Sequence, residues 1–486
     1  MKYSALMGER SKTKIVCTLG PASDSSEMIR ELISKGMSVA RFNLSHGSLE
    51  SHQRAIEIVR KESLRLGYPV GIMVDVPGPK YRIGPLSPGV ADLKPGDQVI
   101  LSSKDIVGNN KIMGVFPSGI HVDASIGRPI LIDDGLIEMT VTGKKEDQVF
   151  CRVEVGGRVT ERRGVTTPGK SPTQPFLNEK TTESLKFAAE QESDFVALSV
   201  ITEDSHVHSA KAVLNSFGSN PMIITKIERA EALNNIDSIL EASDAIMVAR
   251  GDMGVEVPVE RVPIIQKDLI SRCNTSGKPV ITATQMLESM IDSPVPTRAE
   301  VTDVANAIFD GTDAIMLSGE TSVGKYPANA VNVMSRVAKE AEAALPYDSM
   351  MRAKAFQLEA QTDDAISYDA CRTAHQLNAK AIVAFTESGS TAGRVSKYRP
   401  KAPILAITPS EKVQQALTLR WGVTPLTVEH LTLVEDFFGK GEEMAVAAMG
   451  LKRDELVVLV AGLPIGIAGG TNLLRVLRVG ETANHT

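Results

Sequence analysis

Between Lys14 and Leu317 the sequence repeats one motif eight times: a short, nearly uninterrupted apolar run, then polar text with helical spacing. The runs are Lys14–Thr18, Ser38–Phe42, Gly71–Asp75, Asp194–Ser199, Met222–Ile227, Asp244–Ala249, Pro279–Thr284 and Asp313–Leu317. Continuous rather than alternating hydrophobicity marks parallel strands covered on both faces. Segments with helical period lie between them, among them Ser26–Ser34, Ser51–Leu66, Thr181–Gln191 and Glu260–Thr275. Eight strand–helix units match a (β/α)8 TIM barrel. A doubly wound open sheet gives the same alternation, and periodicity does not separate the two. The likeness of Ser243-Asp-Ala-Ile-Met-Val to Thr312-Asp-Ala-Ile-Met-Leu hints at repeated βα units.

The third run is not followed promptly by a helix. From about Gly84 to Gly169 the text is all-β, with strand candidates Gln98–Leu101, Pro129–Ile132, Leu136–Thr142 and Gln148–Val155. Turn clusters at Gly108-Asn-Asn, Asp133-Asp-Gly and Gly156-Gly separate them. This pattern predicts a small β-barrel inserted into a βα loop. Such loops form the active face of a TIM barrel, so the insert is placed to act as a lid. After Pro346 a third, α/β unit begins, with strand candidates Ala381–Phe385, Ile404–Ile407 and Leu456–Val460. The expected organisation is a catalytic barrel from 1–84 and 167–345, a lid from 85–166 and a C-terminal α/β domain from 346–486. A chain of 486 residues suits three domains of roughly 150 residues each.

Composition narrows the function. With 42% hydrophobic and 23% charged residues the chain is neither disordered nor a coiled coil. A balance of 53 basic against 59 acidic side chains offers no excess for a nucleic-acid partner. Cys17, Cys151, Cys273 and Cys371 are scattered without CxxC spacing, which suits a reducing compartment and suggests neither disulfides nor zinc. The N-terminus lacks a signal-peptide core, and the longest apolar stretch, Leu456–Gly470, is too short to span a bilayer. A cytoplasmic protein without a membrane partner is expected.

If the eight runs are barrel strands, polar residues at their carboxyl ends face a common site. They are Arg41, Asn43 and Ser45 after the second, Asp75 after the third, Ser199 after the fourth, and Lys226 and Glu228 after the fifth. Arg250, Gly251 and Asp252 follow the sixth, Thr284, Gln285 and Glu288 the seventh, and Ser318 and Glu320 the eighth. Lys226 and Glu228, two apart in a strand, point to the same side. Burying both is costly unless something ionic sits there. Two carboxylates, Glu228 and Asp252, suit magnesium or manganese. Cations at Arg41 and Lys226 suit a transferring phosphoryl group or a developing enolate. The Ala249–Asp252 turn, if it opens a helix, offers N–H groups to a carboxylate or phosphate. Aldolase chemistry through a Lys226 Schiff base is the rival, and the carboxylate two residues on argues against it. Gly319-Glu-Thr-Ser-Val-Gly324-Lys325 has P-loop spacing, but Tyr326 and Pro327 stand where the magnesium-binding hydroxyl belongs, so nucleotide binding in that mode is not expected.

Several of these segments also carry a resemblance. Ser11–Gly20 (SKTKIVCTLG), Arg41–Gly47 (RFNLSHG), Thr225–Glu228 (TKIE), Ala245–Val255 (AIMVARGDMGV), Ala283–Met290 (ATQMLESM) and Pro296–Pro327 resemble the pyruvate kinase family, along essentially the whole chain. The resemblance implies phosphoryl transfer from phosphoenolpyruvate to ADP in glycolysis. By matching motif, Glu228 and Asp252 hold Mg2+ or Mn2+. Arg41 and Lys226 neutralise the phosphoryl group, and Lys226 also stabilises the enolate. Gly251, Asp252 and Thr284 hold the substrate carboxylate, with Thr284 near the route of the enolate's proton. Asn43, His46, Arg82, Asp134 and Arg163 fall on the nucleotide side. Thr386, Ser388, Gly389, Ser390 and Thr391 match the phosphate contacts of an allosteric effector in a regulatory C-terminal domain, with the loop Gly462–Thr471 closing beside them. A plain β-turn at Asp134 and an unliganded helix start at 386–391 are the structural alternatives. A homotetramer is also implied.

One segment departs from the family pattern. Where many members read Asp-Thr-Lys-Gly-Pro-Glu-Ile-Arg, this chain has Asp75-Val76-Pro77-Gly78-Pro79-Lys80-Tyr81-Arg82. In potassium-dependent members the equivalents of Asn43, Ser45, Asp75 and the carbonyl at position 76 ligate potassium, accompanied by an acidic residue at position 80. Lys80 with Val76 resembles the potassium-independent branch, so a tethered ammonium is expected to replace the ion. Two other functions compete: a catalytically weak sensing paralogue, supported only by this segment, and another phosphoenolpyruvate or enolate enzyme on the same barrel.

Overall fold

The computed structural model describes residues 10–169, 173–355, 358–431, 433–464 and 470–481. Strands are numbered in chain order. Lys14–Thr18 (β1), Met37–Asn43 (β2) and Gly71–Val76 (β3) come first, separated by helices Ser26–Lys35 and Leu49–Leu66. Short strands then follow in close succession: Tyr81–Ile83 (β4), Val90–Leu93 (β5), Gln98–Ser102 (β6), Ile112–Phe116 (β7), Pro129–Ile132 (β8), Ile137–Lys145 (β9), Gln148–Val155 (β10), Gly157–Thr160 (β11) and Gly164–Thr166 (β12). Strand–helix alternation resumes with Phe195–Leu198 (β13), Met222–Ile227 (β14), Ala245–Ala249 (β15), Val280–Ala283 (β16) and Ala314–Leu317 (β17). The C-terminal part adds Ala381–Phe385 (β18), Ile404–Thr408 (β19), Val423–Thr427 (β20), Leu456–Gly462 (β21) and Thr471–Arg478 (β22).

The eight predicted runs are the eight strands of one closed barrel, in the order β1-β17-β16-β15-β14-β13-β3-β2, and the open-sheet alternative falls. Most of these strands are buried at every position, as two-sided cover requires. The segment between β3 and β13 closes a second barrel, β10-β6-β7-β4-β12-β8-β9, with β11 and β5 paired beside it. Its longer strands alternate buried and accessible positions, the pattern of an antiparallel sheet wet on one face. The C-terminal sheet has the order β20-β19-β18-β21-β22.

Strands that the sequence did not reveal share a physical reason. β4, β5, β7, β11 and β12 run only three to five residues, too short for a pattern to register. β20 and β22 are sheet edges; β20 contains Pro425 and β22 carries Arg475 and Arg478, as edges tolerate. Gly156-Gly157 is not a simple hairpin turn. Gly157 opens β11, which pairs with β5 rather than β10. Gly156 packs so closely on the Leu93 carbonyl that any side chain would collide with it. Asp133–Leu136, by contrast, is the hairpin loop expected between β8 and β9. All four cysteines are buried thiols, and burial pushes that of Cys151 up to about 12. No helix among the described residues is long and apolar enough to cross a membrane.

The chain forms two compact units, one of Met1–Val74, Ser193–Phe195 and Asp268–Thr486, the other of Asp75–Glu192 and Val196–Lys267. In the first, Arg399 follows the helix Ser390–Lys397 and meets Asp313, the residue that leads into β17, at 2.7 Å. Its other nitrogen donates to Asn274 Oδ1 and to the Gly311 carbonyl, each at 2.8 Å. Asp313 also accepts the Val280 N–H at 3.1 Å. Both charged side chains are almost fully buried, at 4% and 6% exposure. A buried pair contributes little relative to an apolar one, yet removing one partner strands the other at a cost of about 3–5 kcal/mol. Arg399→Met should therefore lower unfolding stability by about that much in urea titration. Arg399→Lys should recover only part, because an ammonium cannot span all three acceptors.

Candidate active site

Strand β14 carries Lys226, and Glu228 follows its end. Lys226 Nζ sits 2.7 Å from Glu228 Oε1 and 3.4 Å from Asp75 Oδ1 of β3. It also donates to Ser199 Oγ at 2.8 Å, just past β13. The Ser199 hydroxyl in turn lies 3.3 Å from Asp75 Oδ1, and the Val200 N–H donates to Glu228 Oε2 at 3.0 Å. The ammonium and its two carboxylates are 10% or less exposed, so the cost anticipated for buried charges is met by pairing them with each other. Val200 adopts φ 60°, a strained conformation for a β-branched residue, and in it the amide reaches Glu228.

Asp252 lies in the first turn of the helix Arg250–Glu256, which does open after β15 as expected, with Gly251 beside it. Its Oδ1 pairs with Lys80 Nζ at 2.7 Å. Burial works against the Lys80 charge, but Asp252, Glu228 and Asp134 outweigh it, and its pKa stands above that of free lysine. Burial pushes the Glu228 carboxyl up, and the charge on Asp252 adds to this against the opposing pull of Lys226 and Lys80. Three carboxylates, Asp75, Glu228 and Asp252, thus meet two ammonium groups, Lys80 and Lys226.

A cavity opens at this point. Pro79–Tyr81, running into β4, and Val165–Thr167, at the end of β12, form its walls, and Val200, Glu228, Arg229, Asp252 and Glu256 line the rest. No group of three or more metal-ligating side chains gathers among the described residues. Magnesium keeps several waters and takes one or two carboxylates plus substrate oxygens. Glu228 and Asp252, both lining this cavity, are oxygen donors of that kind.

The first unit holds the remaining barrel candidates. Arg41 of β2 is buried and donates to Thr18 Oγ1 at 2.7 Å. Asn43 Oδ1 accepts the Ser45 N–H at 3.1 Å, and the His46 carbonyl lies 2.7 Å from His52 Nε2, so these residues brace their own loop. Thr284 and Gln285 both have positive φ, 68° and 54°, directly after β16. The P-loop look-alike is structural: buried Glu320 accepts the N–H groups of Ser318 and Leu287, and Lys325 pairs with Asp292 at the surface.

Residues 10–331 match the family model for the pyruvate kinase barrel domain, and residues 364–477 that for the pyruvate kinase alpha/beta domain. The chain belongs to the pyruvate kinase family. It is 44% identical over 474 residues to a curated pyruvate kinase of Staphylococcus aureus (strain MRSA252), covering 97% of this chain and 81% of that one. It is also 44% identical to that of Clostridium acetobutylicum, covering 96% and 99%. A crystal structure of a pyruvate kinase from Cryptosporidium parvum superposes with a TM-score of 0.91 at 37% identity, covering 97% of both chains. The chain is therefore a pyruvate kinase by family, a transferase of the kinase class, and its family generally uses Mg2+.

Of the residues matched to the family's nucleotide side, Asp134 lies in a turn with φ 52°, close enough to add to the field on Lys80. Arg163 pairs with Asp133 at 2.9 Å rather than with Asp134, and Arg82 donates to the Arg162 carbonyl at 3.0 Å. In the C-terminal domain Thr386 Oγ1 accepts the Gly389 N–H at 2.9 Å. Ser388 and Ser390 meet at 3.2 Å, and Thr391 meets Thr471 at 2.8 Å. The turn thus leads into the helix Ser390–Lys397 with its own hydroxyls already engaged. Half of the loop expected beside it, residues 465–469, lies outside the described residues.

Three contributors escaped the sequence reading. Thr18 supports Arg41, and Arg229 and Glu256 form a buried pair at 2.7 Å. Arg229 sits directly after Glu228 and Glu256 one turn after Asp252, an adjacency the sequence displays. Ser199 was visible only as one strand end among seven. Its hydroxyl bridges Lys226 and Asp75, and a hydrogen bond to a charged group is worth about 1.5–3 kcal/mol. Ser199→Ala should lower turnover at least tenfold in a steady-state assay, with the thermal midpoint within a few degrees of the parent.

Proposed function

We propose that the chain transfers the phosphoryl group of phosphoenolpyruvate to ADP, giving ATP and pyruvate in glycolysis, without requiring potassium. The observation that carries this reading is the Lys226 ammonium fixed between Asp75 and Glu228, with Lys80 on Asp252 beside it. Phosphoryl transfer needs positioning and charge neutralisation more than covalent catalysis. Arg41 and Lys226 face the phosphoryl group, and Lys226 steadies the enolate oxygen left behind. N–H groups at Gly251 and Asp252, with the Thr284 hydroxyl, hold the substrate carboxylate, and the enolate gains its proton on the Thr284 side, by way of water. Magnesium or manganese at Glu228 and Asp252 supplies, when bound, positive charge opposite the transferring oxygens. Asn43, His46, Arg82, Asp134 and Arg163 take the nucleotide side. The barrel within 85–166 closes as a lid and excludes water. Locked into ion pairs, Lys226 serves as an electrostatic partner rather than as a Schiff-base nucleophile.

Lys80 stands in for the monovalent ion that Asn43, Ser45, Asp75 and the Val76 carbonyl would otherwise hold. The Lys80 ammonium paired with Asp252 at 2.7 Å, in the field of Glu228 and Asp134, supports this. A phosphorylated effector at Thr386–Thr391, a homotetramer and a cytoplasmic site of action complete the reading. Pyruvate formation from phosphoenolpyruvate and ADP with magnesium should proceed within about twofold of the same rate with and without potassium. A unit charge at about 5 Å in an effective dielectric of about 20 is worth roughly 3 kcal/mol, on the order of a hundredfold in rate. Lys80→Met should lose about that factor when potassium is absent; full potassium-free activity in that variant would remove Lys80 from this role. Lys80→Glu with Val76→Thr and Pro77→Lys should make turnover depend on potassium.

A further inference from the structure

The two carboxylates assigned to the metal each stand next to one member of a second buried ion pair. Arg229 directly follows Glu228, and Glu256 lies four residues after Asp252, on the same face of one helix. Arg229 Nη1 sits 2.7 Å from Glu256 Oε1, with the side chains 11% and 2% exposed. The other carboxylate oxygen of Glu256 accepts the N–H of Gly169 at 3.2 Å. Gly169 is three residues beyond β12, in a turn of the connection that returns from the inserted barrel. Its φ of 76° is a conformation that glycine adopts without strain. Burial pushes the Glu256 carboxyl up, against the pull of Arg229 and of the Gly169 and Ala230 N–H groups.

We propose that Arg229 and Glu256 are positioning residues that couple the returning connection of the lid to the helix carrying Asp252. Glu256 fixes the roll of that helix, and with it the aim of Asp252, one turn away. The same carboxylate anchors the backbone at Gly169, where the lid rejoins the main barrel. Arg229 ties both to the end of β14, beside Glu228. Movement of the lid connection is therefore transmitted to the two carboxylates through one side chain. All of these residues line or adjoin the cavity between the two lid connections. The inference rests on the phosphoryl-transfer reading only for what Asp252 and Glu228 hold.

Arg229→Met keeps the length and apolar stem of the side chain and removes its charge. Gly169→Ala strains the linker and leaves both charges in place. Each is compared with the parent by turnover and by amide hydrogen exchange of the metal-free enzyme. In both variants turnover should fall about tenfold with the KM for phosphoenolpyruvate changed less than threefold. Exchange should quicken severalfold across 164–169 and 250–256 and stay unchanged across β1, β2 and β18. Arg229→Lys should recover part of both effects. Parental turnover and exchange in Arg229→Met overturn the proposal. So does exchange across 250–256 left at the parental rate in Gly169→Ala, which keeps the buried pair intact. An inactive parent enzyme would count against the phosphoryl-transfer reading, while the exchange comparison would still decide the coupling.

Discussion

The Lys226 ammonium is the interaction on which the second unit's site depends. It brings the carboxylates of β3 and of the segment after β14 to within 3.4 Å of one nitrogen, at positions almost closed to solvent. Without that cation Asp75 and Glu228 would be two buried like charges, and one of them would have to take up a proton. The hydroxyl of Ser199 and the strained amide of Val200 finish the solvation that water would otherwise supply. An ionic cluster of this kind adds little to stability compared with apolar packing. It fixes the distance and orientation of the groups within it, which is the preorganisation a site needs.

The insertion point of the second barrel has a direct chemical consequence. It begins within a few residues of Asp75, and its outgoing connection carries Lys80 back to Asp252. Its returning connection lines the same cavity from the other side. The charges gathered here are thus partly supplied by the segment that leads into the second barrel.

What could be read from the sequence follows the length and regularity of the signal. The eight main strands came through because each is a continuous apolar run, and most boundaries lie within one residue of the structure. The inserted barrel came through as a β domain but not strand by strand, because β4 and β12 are three residues long and take their register from neighbours. Lys226, Glu228 and Asp252 were legible because charged residues at strand ends are conspicuous. Thr18 was not, because a threonine ending a strand is commonplace, and only the fold aims its hydroxyl at Arg41. Arg229 and Glu256 look like surface charges in a polar stretch, and their mutual burial is a tertiary fact. Arg163 was named with the Asp133–Gly135 turn, and its pairing with Asp133 is a contact that only the fold shows.

A tethered cation imposes a demand that a diffusible one does not: its stem must pass through the protein. The Lys80 chain runs past Gly164, the first residue of β12, where an added Cβ would press on the lysine Cε at 3.1 Å. Val165 of the same strand pairs with Tyr81, the residue after Lys80, so the stem and the glycine are held in register by the lid's own sheet. Glycine at 164 is thereby explained by packing alone, since its φ is not among the positive values. The lysine at position 80 is one half of the arrangement. The other half is the absence of a side chain at 164, which lets the ammonium reach Asp252 while β4 and β12 remain paired.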